Sequence, residues 1–371
     1  MKALTLSSAQ LRHFRFAQSG LLEPLADLQE CAQRLVGLQA QIHPAAALAA
    51  AVRVPNLSHA DLDSQLWHDK SLVKIWGQRG TLHIYAQSDW PLIHAVWSGG
   101  SWWKRRFIEE GLGTEKDYTR LLNKVESLAQ KSPSLGRTEL RALGVPERLL
   151  SSWGGLFADL VYQGKLCHLP RQGNEGRFAH RSQWLPELEW PLPAEATARR
   201  EIVLRYLAGY GPASGQDLAH WAGWRVSRAE TELKALQAEL CAVQVEGQAL
   251  WALKSQVPAL NTWPKDSNAD LPLLLLPRFD PMVLAHKNKD WLIDVERYKQ
   301  VWQKAGHIEA TVIESGRMAG TWRYAKRKQN LEVSVWPFAK LSRSSKVALE
   351  VRAQVLAQCF GLASAHCIYP D

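Results

Sequence analysis

The chain has 371 residues, more than one small domain needs and enough for about two or three units with their own cores. Its 45 Lys and Arg against 36 Asp and Glu leave a formal charge of +9, which suits an anionic partner such as nucleic acid but sets only a weak prior on its own. Five cysteines without Cys-x-x-Cys spacing argue against a zinc ribbon or disulfide framework, and neither a signal-type apolar N-terminus nor a membrane-length apolar run is present, so a cytoplasmic chain without membrane contact is expected.

Residues 8–41 read as helical, because Leu11, Phe14, Leu21, Leu25, Leu28, Leu35 and Leu38 return at spacings of three, four and seven. Ser58 can cap a helix reaching Asp69. Residues 72–76 and 81–85 then flank a glycine-containing turn and predict a hairpin. Helices followed by a small hairpin are the order of a winged helix, and that order recurs. Helices are expected over 117–130, 136–143 and 149–163, the last with Trp153, Leu156, Phe157 and Leu160 on one face; a hairpin follows whose tip runs from Arg171 to Arg177. A Pro-rich linker over 184–193 precedes a third copy with helices over 199–206, 215–221 and 227–239 and strands over 241–245 and 248–252.

Strands are expected next over 273–276, 308–315, 318–324 and 331–336, with a tight turn at Gly316-Arg317 and a helix over 344–360. The predicted class is therefore α+β, with three tandem winged-helix (helix-turn-helix) units followed by a small C-terminal β-barrel with a covering helix. The expected segments are 1–112, 113–190 and 191–264 for the winged helices and 265–371 for the barrel. Seventeen tryptophans serve mostly as packing on this reading, although base stacking uses the same residue type.

Four short strings occur in order along this frame: Leu38-Gln39-Ala40-Gln41, Trp76-Gly77-Gln78-Arg79-Gly80-Thr81-Leu82-His83-Ile84, Tyr210-Gly211-Pro212-Ala213-Ser214 with Trp221 downstream, and Leu276-Pro277-Arg278-Phe279-Asp280. Together they resemble the AlkZ-like winged-helix DNA glycosylases. The resemblance implies removal of N7-alkylated purines and unhooking of interstrand crosslinks, with no metal or organic cofactor. It places a catalytic Gln-aliphatic-Gln element on Gln39 and Gln41, with Ala40 smaller than the usual middle residue. Glutamine at the second position resembles the crosslink-oriented branch more than the branch with Asp there.

Amides are poor general bases, which speaks against ordinary hydrolysis. A purine alkylated on N7 already carries positive charge, so its glycosidic bond breaks without protonation of the leaving base and orientation of water becomes the main task. Two glutamines can do that. Spacing alone leaves open a bland role in which both cap helix ends or bind buried backbone.

For DNA contact the candidates are Arg79 and His83 in the first hairpin, Arg171 and Arg177 in the second, and Arg323 with Lys326-Arg327-Lys328 at a strand end. Trp102-Trp103-Lys104-Arg105-Arg106 is a further basic run, although such runs are commonly solvated faces. His43 reads as structural, and Asp280 as an Asp-Pro turn whose carboxylate accepts backbone N–H groups. No phosphate loop, nucleophile elbow or His-Glu-x-x-His helix is present. The expected partner is double-stranded DNA with alkylated purines or crosslinks, bound by a nucleoid-associated monomer. The rival reading is a regulator that binds DNA without breaking a bond.

Overall fold

The computed structural model describes residues 3–99, 102–150, 154–266, 268 and 270–370. The fold is α+β, and the chain divides into two compact units, residues 1–62 with 200–371 and residues 63–199. Among the described residues no helix is long and apolar enough to cross a membrane.

In the first unit the opening segment is not one helical stretch. Ser7 caps the helix Ser8–Gln18 through a reciprocal capping box with Gln10. Gly20, at φ +73°, and Pro24 then interrupt the leucine periodicity, and Asp27 caps a second helix, Leu28–Arg34. That helix ends in left-handed backbone at Val36 and Gly37, followed by the two-residue strand Leu38–Gln39. A helix His43–Ala51, with proline in its first turn, comes next. Its run of alanines shows no amphipathic period, and seven consecutive residues, Ala45 to Ala51, are buried.

The later part of this unit is more regular. Helices Glu195–Tyr210, Gly215–Ala222 and Val226–Ala235 lead to an antiparallel hairpin, Leu240–Val245 with Gln248–Leu253. Strand Leu4–Thr5 adds to it in parallel, pairing Leu4 with Val243. Leu6, Leu11 and Phe14 share a core with Val243, Val245, Leu250 and Leu260.

The expected C-terminal barrel is instead a sheet whose five strands pair in line. Ser364–Ile368 lies at one edge, followed by Asn330–Pro337, Arg317–Arg327, Ala310–Glu314 and Leu274–Leu276. Five strands ending in a three-residue edge give little length for closure, and the expected covering helix, Arg343–Cys359, packs on the sheet. Left-handed Ser315 and Gly316 form the tight turn.

The second unit contains a hairpin, Leu72–Trp76 with Leu82–Ala86, helices Glu115–Ala129, Arg137–Ala142 and Leu156–Tyr162, and a second hairpin, Leu166–Gln172 with Glu175–His180. The helix expected over 149–163 is shorter because Gly154 and Gly155, at φ +98° and +53°, precede its start. Trp153 lies outside the described residues. Tryptophans here pack: Trp76 stacks on Phe178 at 6.2 Å, and Trp190 meets Trp90 at 5.4 Å while Arg181 covers it at 3.8 Å.

Candidate functional site

Gln39 ends the short strand Leu38–Gln39, and Ala40 and Gln41 follow it into a bend; the segment is entered through a strained turn. Val36 is β-branched yet adopts φ +49°, a conformation that only a well-anchored surrounding holds in place. The anchors belong to the same unit. The Tyr210 hydroxyl donates to the Leu35 carbonyl at 2.7 Å, Gly37 N–H donates to Ala32 O at 2.8 Å and Val36 N–H to Gln33 O at 3.1 Å. Gly209 packs so closely that a Cβ there would lie 2.5 Å from the Arg34 carbonyl oxygen. Helix Glu195–Tyr210 therefore meets the end of helix Leu28–Arg34 backbone to backbone, one turn before the glutamines.

Ala40 is wholly buried, which accounts for a small middle residue; Gln39 is 8 % exposed and Gln41 is exposed. One amide is thus largely enclosed by protein and the other open to solvent. His43, the next polar residue, meets His59 edge to face at 5.1 Å.

Two buried charge networks support this unit, and neither was evident in the sequence. Arg53 and Asp280 have fully buried side chains and form a bidentate pair, both bonds 2.8 Å. Arg53 also donates to Ser19 O and Ala49 O, while Asp280 accepts the Met282 N–H, the Asp-Pro turn role expected of it. Burial opposes charge on Arg53, yet Asp280 holds its pKa above the ordinary value. In the second network Arg15 donates to the Pro212 carbonyl, and burial lowers its pKa to about 10 against the pull of Asp217. Asp217 accepts from Ser214 N–H and hydroxyl and from the Lys287 and Asn288 N–H groups. Burial acts to raise the Asp217 pKa, but His286, Arg15 and the Ser214 bonds together hold it below the usual range. The Tyr210-to-Ser214 string and Trp221 therefore form a buried junction: Tyr206 and Trp221 approach at 4.8 Å, and Tyr210 holds the glutamine segment.

The candidate DNA-contacting residues separate by burial. His83 is 2 % exposed, its Nδ1 donates to the Thr81 carbonyl at 2.9 Å, and burial with nearby Arg79 lowers its pKa to about 3. It is a neutral core histidine, so direct contact with DNA does not fit it. Arg177 is 9 % exposed and bound to Glu139 and Ser134, which ties the second hairpin to the start of helix Arg137–Ala142; this too is a structural role. Arg79 occupies the left-handed turn of the first hairpin, half-buried. Arg171 is exposed beside its hairpin tip and donates to Asn174 O.

Lys326, Arg327 and Lys328 are exposed at the end of the hairpin formed by Arg317–Arg327 and Asn330–Pro337, with Lys328 at φ +55° in the turn. Lys326 rests over Phe360 at 3.7 Å and Arg327 lies 3.6 Å from Glu332. Arg323 is exposed but paired with Glu309 at 2.9 Å. In the Trp103 region Lys104 pairs with Glu115 and Arg106 with Glu110, as in a solvated face.

The family model described as DNA glycosylase AlkZ-like matches residues 32–359. The chain belongs to the AlkZ-like DNA glycosylase family. Among AlkZ-like proteins, the interstrand DNA cross-link repair glycosylase of Streptomyces sahachiroi is 27 % identical over 343 residues, 89 % of this chain and 90 % of that one. The solved structure of Streptomyces sahachiroi DNA glycosylase AlkZ superposes with a TM-score of 0.84 at 25 % identity, covering 99 % of this chain and 100 % of that chain. The matched region includes all four strings, from the glutamine pair to Asp280.

Proposed function

We propose that this chain is a monofunctional DNA glycosylase that hydrolyses the N-glycosidic bond of N7-alkylated purines in duplex DNA, crosslinked purines included. The observation that carries the reading is the glutamine pair just after a turn that Tyr210 and Gly209 pin at Leu35 and Arg34, in a chain of the AlkZ-like family. Water adds to C1′ as the C1′–N9 bond breaks. The bonding pair moves onto the purine and neutralises its positive charge, and the proton shed by the water passes to solvent. A leaving group of this kind needs no general acid. Gln41, open to solvent, accepts a hydrogen bond from the water, and Gln39, largely enclosed, fixes its orientation.

On this reading the helix-and-hairpin modules within 1–112, 113–190 and 191–264 act as winged helices and 265–371 as a C-terminal platform. Arg79, Arg171 and the Lys326-Arg327-Lys328 tip contact the phosphate backbone, and one cytoplasmic, nucleoid-associated copy acts alone. An open site suits a crosslinked base, which cannot swing freely out of the helix. The test is the double variant Gln39→Ala, Gln41→Ala with two duplexes, one carrying a single 7-methylguanine and one an N7-linked crosslink, each heated in alkali after incubation. Wild-type protein is expected to yield abasic sites, and the double variant to bind DNA but release no base. Undiminished release would remove the glutamines from the chemistry, and binding without abasic product by the wild type would leave a non-catalytic DNA binder.

A further inference from the structure

A line of rings in the first unit joins the glutamine segment to the basic hairpin tip. His43, two residues after Gln41, meets His59 edge to face with centroids 5.1 Å apart. His59 lies 6.4 Å from Phe360, the residue that ends helix Arg343–Cys359. Phe360 in turn approaches Tyr324 at 5.1 Å and carries the Lys326 ammonium over its face at 3.7 Å. Helix Arg343–Cys359 also packs on helix His43–Ala51, so the two ends of the line are fixed by the fold and not by one side chain.

None of these rings is core. His43, His59 and Phe360 are half-buried and Tyr324 is 36 % exposed, while Gln41 at one end and Lys326 at the other are exposed. Contiguous aromatic surface left open to solvent is characteristic of binding surfaces. The charge along the strip favours an anion. Lys326, Arg327 and Lys328 crowd the tip, where Glu332 lies 3.6 Å from Arg327 alone, and Asp61, two residues beyond His59, accepts from the Ser58 N–H and hydroxyl at 2.7 Å.

The span decides what the strip can hold. Contacts of 5.1, 6.4 and 3.7 Å place the His43 ring and the Lys326 ammonium no farther apart than about five base pairs, at about 3.4 Å of rise each along one strand. A strand whose reacting sugar sits at Gln41 and whose phosphate is held by Lys326 therefore passes over His59 and Phe360.

We propose that His59, Phe360 and Tyr324 form a substrate-contacting strip that seats the lesion-bearing strand, with Lys326 holding one phosphate within about five nucleotides of the damaged base. Sugars and base edges lie on the rings while the lysine neutralises the phosphate, a combination that positions a strand without reading its sequence. That the strand is the lesion-bearing one rests on the glycosylase reading; a DNA-contacting strip does not.

Duplexes with a single 7-methylguanine and one uncharged methylphosphonate linkage, moved stepwise along the lesion strand, test this by equilibrium binding. The protein is the full chain with Gln39→Ala and Gln41→Ala, which keeps the base in place. The expected result is a loss of about ten-fold at one linkage within about five nucleotides of the lesion, and no loss at that linkage once Lys326→Gln is added. Phe360→Leu and His59→Ala are each expected to weaken binding about five-fold or more, and Phe360→Tyr, which keeps the ring, to retain it, with melting temperatures reporting that each variant folds. Tyr324→Ala, at an exposed position, takes the place of Phe360→Leu if that variant does not fold. Methylphosphonates without effect, or with the same effect in Lys326→Gln, overturn the proposal, as does normal binding by the folded ring variants. Base release by the wild-type chain from the all-phosphate duplex reports separately on the glycosylase reading.

Discussion

Removing the carboxylate of Asp280 isolates the charge on Arg53. Both side chains are wholly buried, and the guanidinium makes four bonds, two of them to Asp280. Asp280→Ala deletes those two and the acceptor for Met282 N–H, and it leaves a cation that solvent does not reach. Breaking a buried pair from one side costs about 3–5 kcal/mol, because the remaining charge is uncompensated. At about 2–4 °C per kcal/mol for a unit of this size, the melting temperature is expected to fall by roughly 6–20 °C. Replacing both partners, Arg53→Met with Asp280→Leu, removes the stranded charge, and the double variant is expected to be more stable than Asp280→Ala alone. The Ser19 and Ala49 carbonyls then lose their donor, so the wild-type value is not regained. Urea unfolding of the single and double variants, analysed as a double-mutant cycle, measures the difference. A loss below about 1 kcal/mol in Asp280→Ala, or a double variant weaker than the sum of the singles, would refute the account of the pair as a compensated buried charge.

Gly209→Ala should push the Tyr210 helix off the Arg34 carbonyl, since its Cβ would sit 2.5 Å from that oxygen. A stability loss of about 1–3 kcal/mol and a fall in base release of about ten-fold or more are expected, read by melting and by the alkali assay; normal release in a folded variant would detach this packing from the glutamines. Acid should weaken the second unit through His83, whose folded pKa of about 3 lies below its ordinary 6.5 because burial disfavours the imidazolium. The unfolded chain takes up the proton first, so this contribution is complete above pH 6.5 and declines as pH falls toward 3, by up to ten-fold in the folding equilibrium per pH unit. Melting temperatures from pH 7.5 to 5 should show a shallower slope in His83→Gln, and identical slopes would contradict a buried neutral ring. Replacing Lys326, Arg327 and Lys328 with Gln should lower the slope of log affinity against log salt by about 2–3 on duplex DNA, and an unchanged slope would take this hairpin out of the interface.

What the sequence made legible was local. Hairpins announce themselves by turn chemistry, and Glu246-Gly247 and Ser315-Gly316 take the left-handed backbone that such turns require. Capping residues at Ser58 and Ser214 marked real helix starts. The opening leucine pattern misled because its spacing persists through Gly20 and Pro24, where backbone geometry overrides periodicity. Helix His43–Ala51 was missed because a nearly uniform apolar run carries no period to read. Long-range ion pairs were beyond reach for another reason: Arg53 and Asp280 stand 227 positions apart, and nothing in either neighbourhood names the other. The same limit made Arg177 look like a DNA-contacting arginine, since Glu139, which engages it, lies 38 residues upstream. At the glutamines, the family resemblance carried the catalytic expectation, and the strained Val36 and the Tyr210 anchor exist only in the folded chain.

The division of the first unit along the chain has a consequence for biosynthesis. Residues 1–62 leave the ribosome carrying Gln39 and Gln41, yet Tyr210, which holds Leu35, and Asp280, which neutralises Arg53, follow only after 137 intervening residues of the other unit have emerged. At ordinary translation speeds that delay is on the order of ten seconds or more. A nascent or prematurely terminated chain therefore contains Gln39 and Gln41 without the Tyr210 bond and the Asp280 carboxylate that the folded unit supplies.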